Sequence, residues 1–356
     1  MEESTHLAPP QARGHFSVAR LPKYWYGVIP AGELGAKPLA RTLLGTPLVL
    51  FRDGAGVAHA LVDRCPHRNV PLSLGRVART GRLECAYHGW QFDGDGACKV
   101  IPSLSHAPTA KACDATGHAT RESDGVIWVW GEPGVTPADG PPRLRHVGEP
   151  GYTTVYKVTE AQATMHAVIE NALDVPHTAF LHKGLFRNES RGISLEVIVR
   201  RTATQVEAEY LGEPRPEGFV ARVLSPSGGV VQHWDRFILP AVSEVEYRIG
   251  DENHLLVSSL LTPVEDFHTR LTNVVRFRSR LPGELVKPFL EPLVSQIFKQ
   301  DAWILKTLTD TTQRFGGEQY ASTEIDLFGK HVWRLLRAAE RGATEPAHEE
   351  RVTMIV

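Results

Sequence analysis

Two short stretches, Cys65-Pro66-His67 and Cys85-Ala86-Tyr87-His88, each offer one thiol and one imidazole, with seventeen residues between them. That alternating order lets each loop give one thiolate and one imidazole to a two-iron, two-sulfur cluster with unequal irons. Cys65 and Cys85 would hold one iron, and His67 and His88 the other. Neutral imidazoles on one iron raise the reduction potential well above that of an all-thiolate cluster. Structural zinc also uses two cysteines and two histidines, but its usual spacing groups the cysteines first and the histidines later. Pro66, Pro71, Gly75, Gly81 and Gly89 surround the four residues, followed by Gly94, Gly96 and Pro102. Such turns bring backbone N–H groups toward sulfide and tune the potential.

A second constellation, ENALDVPHTAFLH, holds Asp174, His177 and His182 in the order Asp-x-x-His-x-x-x-x-His. Residues five apart advance about 500° around an α-helix and do not share a face, so a helix here must end or distort near Pro176. Two imidazoles and one carboxylate on one side of an iron leave positions open for oxygen and substrate. His177 and His182 supply the imidazoles, and the spacing leaves the carboxylate to be found elsewhere.

The run DRCPHRNVPLSLGRVARTGRLECAYHGWQFDGDGACKVIPS resembles the Rieske domain of Rieske non-haem iron oxygenases, nearest to the clade of chlorophyllide a oxygenase and pheophorbide a oxygenase. The likeness covers nearly the whole chain. It implies an α+β protein, with an N-terminal all-β Rieske [2Fe-2S] domain followed by a helix-grip, START-like antiparallel-sheet catalytic domain. It places the missing carboxylate on a late helix, where PLVSQIFKQDAWILKTLTD offers Asp301 with Ile297, Ile304 and Leu308 on an inward stripe. Asp310, near the expected helix end, is the weaker candidate. The resemblance also implies that a separate reductase or ferredoxin delivers electrons singly to the cluster, which passes them to mononuclear Fe(II) for O2 activation. Asp174 would connect the two centres across a subunit boundary in a homotrimer. No flavin or nicotinamide fingerprint stands in the right context, so the electron source should be another protein.

These sites need elements to hold them. With 356 residues, two domains can each bury a core. Residues 1–14 read as a flexible tail, 15–145 as the Rieske domain, 146–343 as the catalytic domain and 344–356 as a second tail. From His15 to about Arg145, apolar runs such as WYGVI, PLVLF and VIWVW are broken every eight to twelve residues by Gly, Pro and Asp, the rhythm of a small β-domain. Beyond a Pro- and Gly-rich linker at Pro133 to Arg143, YTTVYKV, LEVIVRR, VEAEYLG, SEVEYRI and HLLVSSLL read as longer antiparallel strands. Helices are expected at about Thr164 to Asp174 and Gly283 to Asp310. A later one carries Phe328, Val332, Leu335, Leu336 and Ala339 on one stripe and packs on the sheet.

A formal net charge of -2 without basic runs argues against nucleic acid or an anionic membrane as partner. The N-terminus shows no secretory signal and no run is long enough to span a bilayer, so a cytoplasmic location is expected. Of the four cysteines, Cys98 and Cys113 read as free thiols of a reducing compartment. His166 lines a pocket or is structural; Asn171 and Glu170 are candidates to support the iron ligands; His233, His254 and His268 receive no role. The expected activity is monooxygenation of a bulky apolar or polycyclic metabolite, with Phe180, Phe186 and Trp234 beside the pocket. Oxidative demethylation, desaturation and cis-dihydroxylation share the same ligands. A Rieske electron carrier, or a ligand-binding helix-grip protein with an N-terminal zinc site, are the readings from other classes.

Overall fold

The computed structural model describes residues 15–183, 194–213, 231–250, 253–279 and 282–355; residues 1–14 and Phe186 lie outside them. Apolar runs bounded by turns give eleven short strands: β1 (Trp25–Pro30), β2 (Leu39–Leu43), β3 (Thr46–Arg52), β4 (Ala58–Val62), β5 (Arg76–Val77), β6 (Leu83–Glu84), β7 (Gln91–Phe92), β8 (Cys98–Val100), β9 (Gly117–His118), β10 (Thr120–Ser123) and β11 (Val126–Trp130). They form three small sheets in the orders β1-β11-β10, β2-β3-β4-β9 and β5-β6-β7-β8. The last of these, with the loop after β4, carries both Cys-His stretches.

Eight longer strands make one antiparallel sheet: β12 (Thr153–Ala161), β13 (Ser194–Arg201), β14 (Gln205–Leu211), β15 (Val231–Ile238), β16 (Val242–Ile249), β17 (Asn253–Glu265), β18 (His268–Arg278) and β19 (His348–Ile355), ordered β12-β18-β17-β16-β15-β14-β13-β19. The helices are α1 (Met165–Leu173), α2 (His177–Leu181), α3 (Gly283–Arg314) and α4 (Gly329–Glu340). Thr164 caps α1 by accepting the Ala167 N–H at 3.2 Å, as an N-terminal threonine does. Val332, Leu335 and Leu336 of α4 are buried in the main core, with Phe328 just before them.

The small sheets sit directly on the large one. A Cβ on Gly27 of β1 would lie 2.5 Å from Leu260 Cδ1 of β17, so glycine leaves room for the Leu260 side chain to pack onto β1. Thr262 Oγ1 donates to the Gly27 carbonyl at 3.3 Å. The segment entering β12 is held by a buried ionic network on the sheet's outer face. Arg145 Nη2 lies 2.8 Å from Glu244 and 3.0 Å from Glu246, and the fully buried Arg276 donates to the Arg145 carbonyl at 3.0 Å. Burial pulls the Arg276 guanidinium down to about 10. Burial opposes ionisation of Glu246 as well, but His254, Arg145 and Arg236 hold it well below the usual carboxylate range. A network in which each charge has several partners offsets the cost of its own desolvation.

Three features depart from the sequence reading. Within the expected tail 344–356, His348–Ile355 is a strand: β19 pairs antiparallel with β13 over Ser194–Arg201. Its charges concealed it: as an edge strand it exposes most of its side chains and buries Met354 alone, and Arg351 and Glu349 pair with Glu196 and Arg200 of the neighbouring strand. Strands β15 and β18 were not foreseen, because their buried alternation includes His233, Asp235, Asn273 and Arg276 in place of apolar residues. The late helix runs past Asp310 to Arg314 and contains Pro288 and Pro292.

Met354 is 2 % exposed and packs in the main core. Met354→Ala should therefore cost about 2–5 kcal/mol of unfolding free energy, read as a lower denaturant midpoint. A change under about 0.5 kcal/mol, the size of an ordinary surface substitution, would return this segment to a tail.

Candidate functional site

The two Cys-His stretches fold into matching loops. Cys65 N–H donates to the Val70 carbonyl and Cys85 N–H to that of Trp90; in return Asn69 and Gly89 N–H donate to the carbonyls of Cys65 and Cys85. Asn69 (φ 62°) and Gly89 (φ 69°) both adopt the left-handed conformation that turns each chain back. Each thiol is 2 % exposed, and the two are close enough to interact. Burial pushes the Cys65 thiol up, against backbone N–H groups of His67 and Arg68 that favour the thiolate. His67 and His88 lie side by side with ring centroids 4.5 Å apart, His67 stacked on Trp90 at 4.7 Å and 4°. Nδ1 of His67 is buried with no hydrogen-bond partner. A buried imidazole nitrogen rarely goes unsatisfied; two facing thiols and two adjacent imidazoles, one with an orphaned nitrogen, fit a [2Fe-2S] cluster.

The second site joins residues from two distant segments. Helix α1 stops at Leu173, Asp174 takes extended backbone (φ -90°, ψ 102°), and α2 starts at His177 after Pro176. This break turns His177 and His182 toward each other. Their Nε2 atoms are 3.3 Å apart, and Asp301 Oδ1 of α3 lies 3.6 Å from the first and 3.1 Å from the second. Ligands about 2.1 Å from an ion are about 3.0 Å apart in octahedral and about 3.4 Å apart in tetrahedral geometry, so the triangle fits one face of a single-ion site of either kind. His177 Nδ1 is held by the Asp174 carbonyl and His182 Nδ1 by Gln300 Oε1 at 2.9 Å. Both rings thus carry their proton on Nδ1 and aim an Nε2 lone pair inward. Asp301 Oδ1 is buried and makes no hydrogen bond. Two lone pairs and a carboxylate oxygen converging away from water fit a cation.

The carboxylates here attract positive charge: burial opposes charge on His177, yet Asp174 and Asp301 push it up to about 9, so without a metal a proton occupies the position that a cation would take in its place. Burial raises the Asp301 carboxyl, and the two imidazoles more than reverse this. Beside the triangle opens a cavity of about 260 Å3 lined by Val168, Val245, Val257, Val275, Ile297 and Leu305, among others.

Other expected residues are placed differently. Asp310 is exposed and pairs with Lys306 at 2.5 Å. His166 is buried, with Nε2 3.2 Å from the Gly329 carbonyl, a structural role away from the cavity. Asn171 lines the cavity. Glu170 does not, and faces a separate cleft with Asp174 and Tyr320. Phe180 is 73 % exposed. Trp234 stands on the outer sheet face under Arg236 and Arg248, away from the pocket beside which it is expected. His268 pairs with Glu160 and His254 with Glu246 and Tyr152. His233 lies between Glu213 and Asp235, and these carboxylates overcome its burial and push it up to about 9.

Gln300 was missed. Its only signal in the sequence is an amide beside Asp301 on the same helix. Gln300→Leu should leave the His182 Nδ1–H buried without an acceptor and weaken metal binding at the triangle about 10–100-fold, measured by chelator competition. Unchanged affinity would show that the amide does not orient His182.

Comparison with known proteins follows the same division. Residues 24–111 match the Rieske [2Fe-2S] domain and residues 161–342 the vanillate O-demethylase oxygenase C-terminal domain. The oxygenase component of dicamba O-demethylase from Stenotrophomonas maltophilia is 31% identical over 254 residues, 70% of this chain and 72% of that protein. Chloroplastic pheophorbide a oxygenase from Oryza sativa subsp. japonica is 37% identical over 171 residues, 45% of this chain but 32% of that longer protein. A crystal structure of dicamba monooxygenase bound to 3,6-dichlorosalicylic acid superposes with a TM-score of 0.81 at 23% identity, covering 91% of this chain and 98% of the other. No helix among the described residues is long and apolar enough to cross a membrane. The chain therefore belongs to the Rieske non-haem iron oxygenases, as an oxygenase component with a [2Fe-2S] cluster and a mononuclear iron.

Proposed function

We propose that this oxygenase hydroxylates a bulky apolar or polycyclic substrate, with Cys65, His67, Cys85 and His88 holding the cluster and His177, His182 and Asp301 holding the mononuclear iron. The observation that carries this reading is the 3.1–3.6 Å triangle of ligand atoms opening on an apolar cavity. When bound, the iron supplies O2 activation with electrons from the cluster. The protein's own part is positional. Asp174 and Gln300 fix the imidazole tautomers, the valine-lined sheet excludes water from the substrate, and Asp301 offsets the charge of the metal.

A demethylation outcome is favoured by the matched vanillate O-demethylase domain and by the dicamba O-demethylase relative. It needs no different site: hydroxylation of a methyl ether carbon gives a hemiacetal that releases formaldehyde. The electrons would come from a separate reductase or ferredoxin, since the homologous dicamba protein is an oxygenase component. The free thiols of Cys98 and Cys113 suit a reducing cytoplasm.

The two centres would work across a subunit boundary in a closed homotrimer. Support comes from exposure: the Asp174 side chain is 43% accessible while its backbone carbonyl holds the half-buried His177 ring, and His88 is exposed at the tip of the cluster loops. The Asp174 carboxylate is 3.5 Å from His177 Nδ1, free enough to reach a neighbour's histidine.

Incubation with substrate candidates under 18O2 should give products carrying one labelled oxygen or lacking one methyl group; two labelled oxygens in one product would indicate cis-dihydroxylation. Cys85→Ser should lose the visible cluster spectrum yet bind iron at the triangle, and His182→Ala should do the reverse and form no product. A full cluster spectrum in the first variant, or normal product in the second, would overturn the respective assignment. Asp174→Ala should keep trimeric mass and both metals but stall cluster reoxidation in a single turnover. Wild-type reoxidation in that variant would leave Asp174 a structural residue.

A further inference from the structure

Two thiols take no part in either metal site. Cys98 opens β8, and Cys113 ends a single helical turn at Lys111–Cys113. After that turn the chain runs back alongside β8 in the opposite direction: Ala115 N–H donates to the Gly96 carbonyl at 2.8 Å, and Cys98 N–H donates to Asp114 Oδ1 at 2.8 Å. Stepping outward from the Gly96–Ala115 contact places Cys113 opposite Cys98. Opposed residues of antiparallel chains have Cα atoms about 4.5–5.5 Å apart and side chains on one face, and a disulfide spans Cα separations of about 4.4–6.8 Å. Both side chains pack in the apolar cluster that also holds Cys65 and Cys85, and charge on Cys113 is felt at Cys98.

The two thiols differ in access. Cys98 is 6 % exposed, and burial pushes its thiol up to about 11. Cys113 is half-buried. Between them, residues 101–110 form a loop whose side chains are mostly exposed. Its Pro102 ring lies against the second cluster loop, since a Cβ on Gly89 would stand 3.1 Å from Pro102 Cγ. Cys98 and Cys113 face each other at the base of this loop.

We propose that Cys98 and Cys113 are a peroxide-sensitive pair that closes to a disulfide in the folded holoprotein and clips the base of the loop lying on the cluster loop. Hydrogen peroxide is the fitting oxidant, because O2 that takes two electrons and two protons without reaching substrate leaves as peroxide. The more accessible Cys113 reacts first. Its sulfur bonds to one peroxide oxygen, the O–O bond breaks and the other oxygen leaves as water, giving a sulfenic acid. The Cys98 sulfur then attacks the Cys113 sulfur, the S–O bond breaks, and the departing hydroxide takes the Cys98 proton as a second water. Two thiols and one peroxide thus give one disulfide and two waters. A thiol held protonated is a slow nucleophile, but attack from the facing position is intramolecular and offsets the small thiolate fraction. The pairing stands on strand register, independently of which residues hold the irons.

The test is peptide mapping of anaerobically isolated holoprotein before and after a pulse of hydrogen peroxide, with the visible cluster spectrum followed throughout. The expected product is a pair of peptides joined between Cys98 and Cys113, two hydrogens lighter than the separate peptides, formed while the cluster spectrum persists and reversed by a dithiol reductant. Cys98→Ser should abolish the joined pair and leave Cys113 to proceed to sulfinic acid, which distinguishes Cys98 from Cys85 in the same stretch of chain. Absence of the Cys98–Cys113 link in wild-type protein, its appearance only as the cluster spectrum is lost, or a link from Cys113 to Cys65 or Cys85 in its place would overturn the proposal. Fragmentation of the wild-type peptides locates the link by itself, so the result does not depend on the variant folding.

Discussion

Three ligand atoms that share one small buried space make heavy demands on the rest of the chain. Two imidazole lone pairs and a carboxylate oxygen repel one another and lose hydration, and such a cluster is stable only where a cation compensates. Meeting that condition requires a helix that breaks at Asp174–Pro176, so that residues five apart can face one point, and a second helix that delivers Asp301 from far along the chain. His182 and its partner Gln300 are 118 residues apart in sequence. The broad sheet is the common floor that fixes both helices at the right separation.

The two faces of that sheet do different work. The inner one alternates apolar and hydrogen-bonded rungs and forms the cavity wall. The outer one carries Arg145, Glu244, Glu246 and Arg276, which hold the connection from the N-terminal sheets. The Leu260 side chain packed against Gly27 completes the join, so the N-terminal sheets pack directly on the broad sheet.

The cluster loops were legible in the sequence because all their chemistry is local: Cys65 to His88 is a single short stretch whose spacing alone specifies a cluster. His177 and His182 were legible for the same reason. The search for a carboxylate on the late helix came from family resemblance; within residues 283–314 the apolar stripe of Ile297, Ile304 and Leu308 then favours Asp301 over Asp310 near the helix end. Polar residues concealed the rest. Strands β15 and β18 bury His233, Asp235 and Arg276 in networks whose partners come from other strands, and β19 looks like a charged tail until its partner Ser194–Arg201 is known. Phe180 and Trp234 are expected beside the pocket as large apolar rings, but Phe180 is exposed and strand alternation sends Trp234 to the opposite face of the sheet.

Two distinct iron centres in one chain are what the two ligand clusters together imply. Quantifying iron and acid-labile sulfide in freshly isolated protein, with paramagnetic resonance of the dithionite-reduced sample, tests it most directly. About three irons and two sulfides per chain are expected, the two-iron cluster plus one mononuclear site, together with a Rieske-type resonance. Two irons and two sulfides, unchanged when ferrous iron is added back, would mean that His177, His182 and Asp301 hold no iron and would contradict the claim.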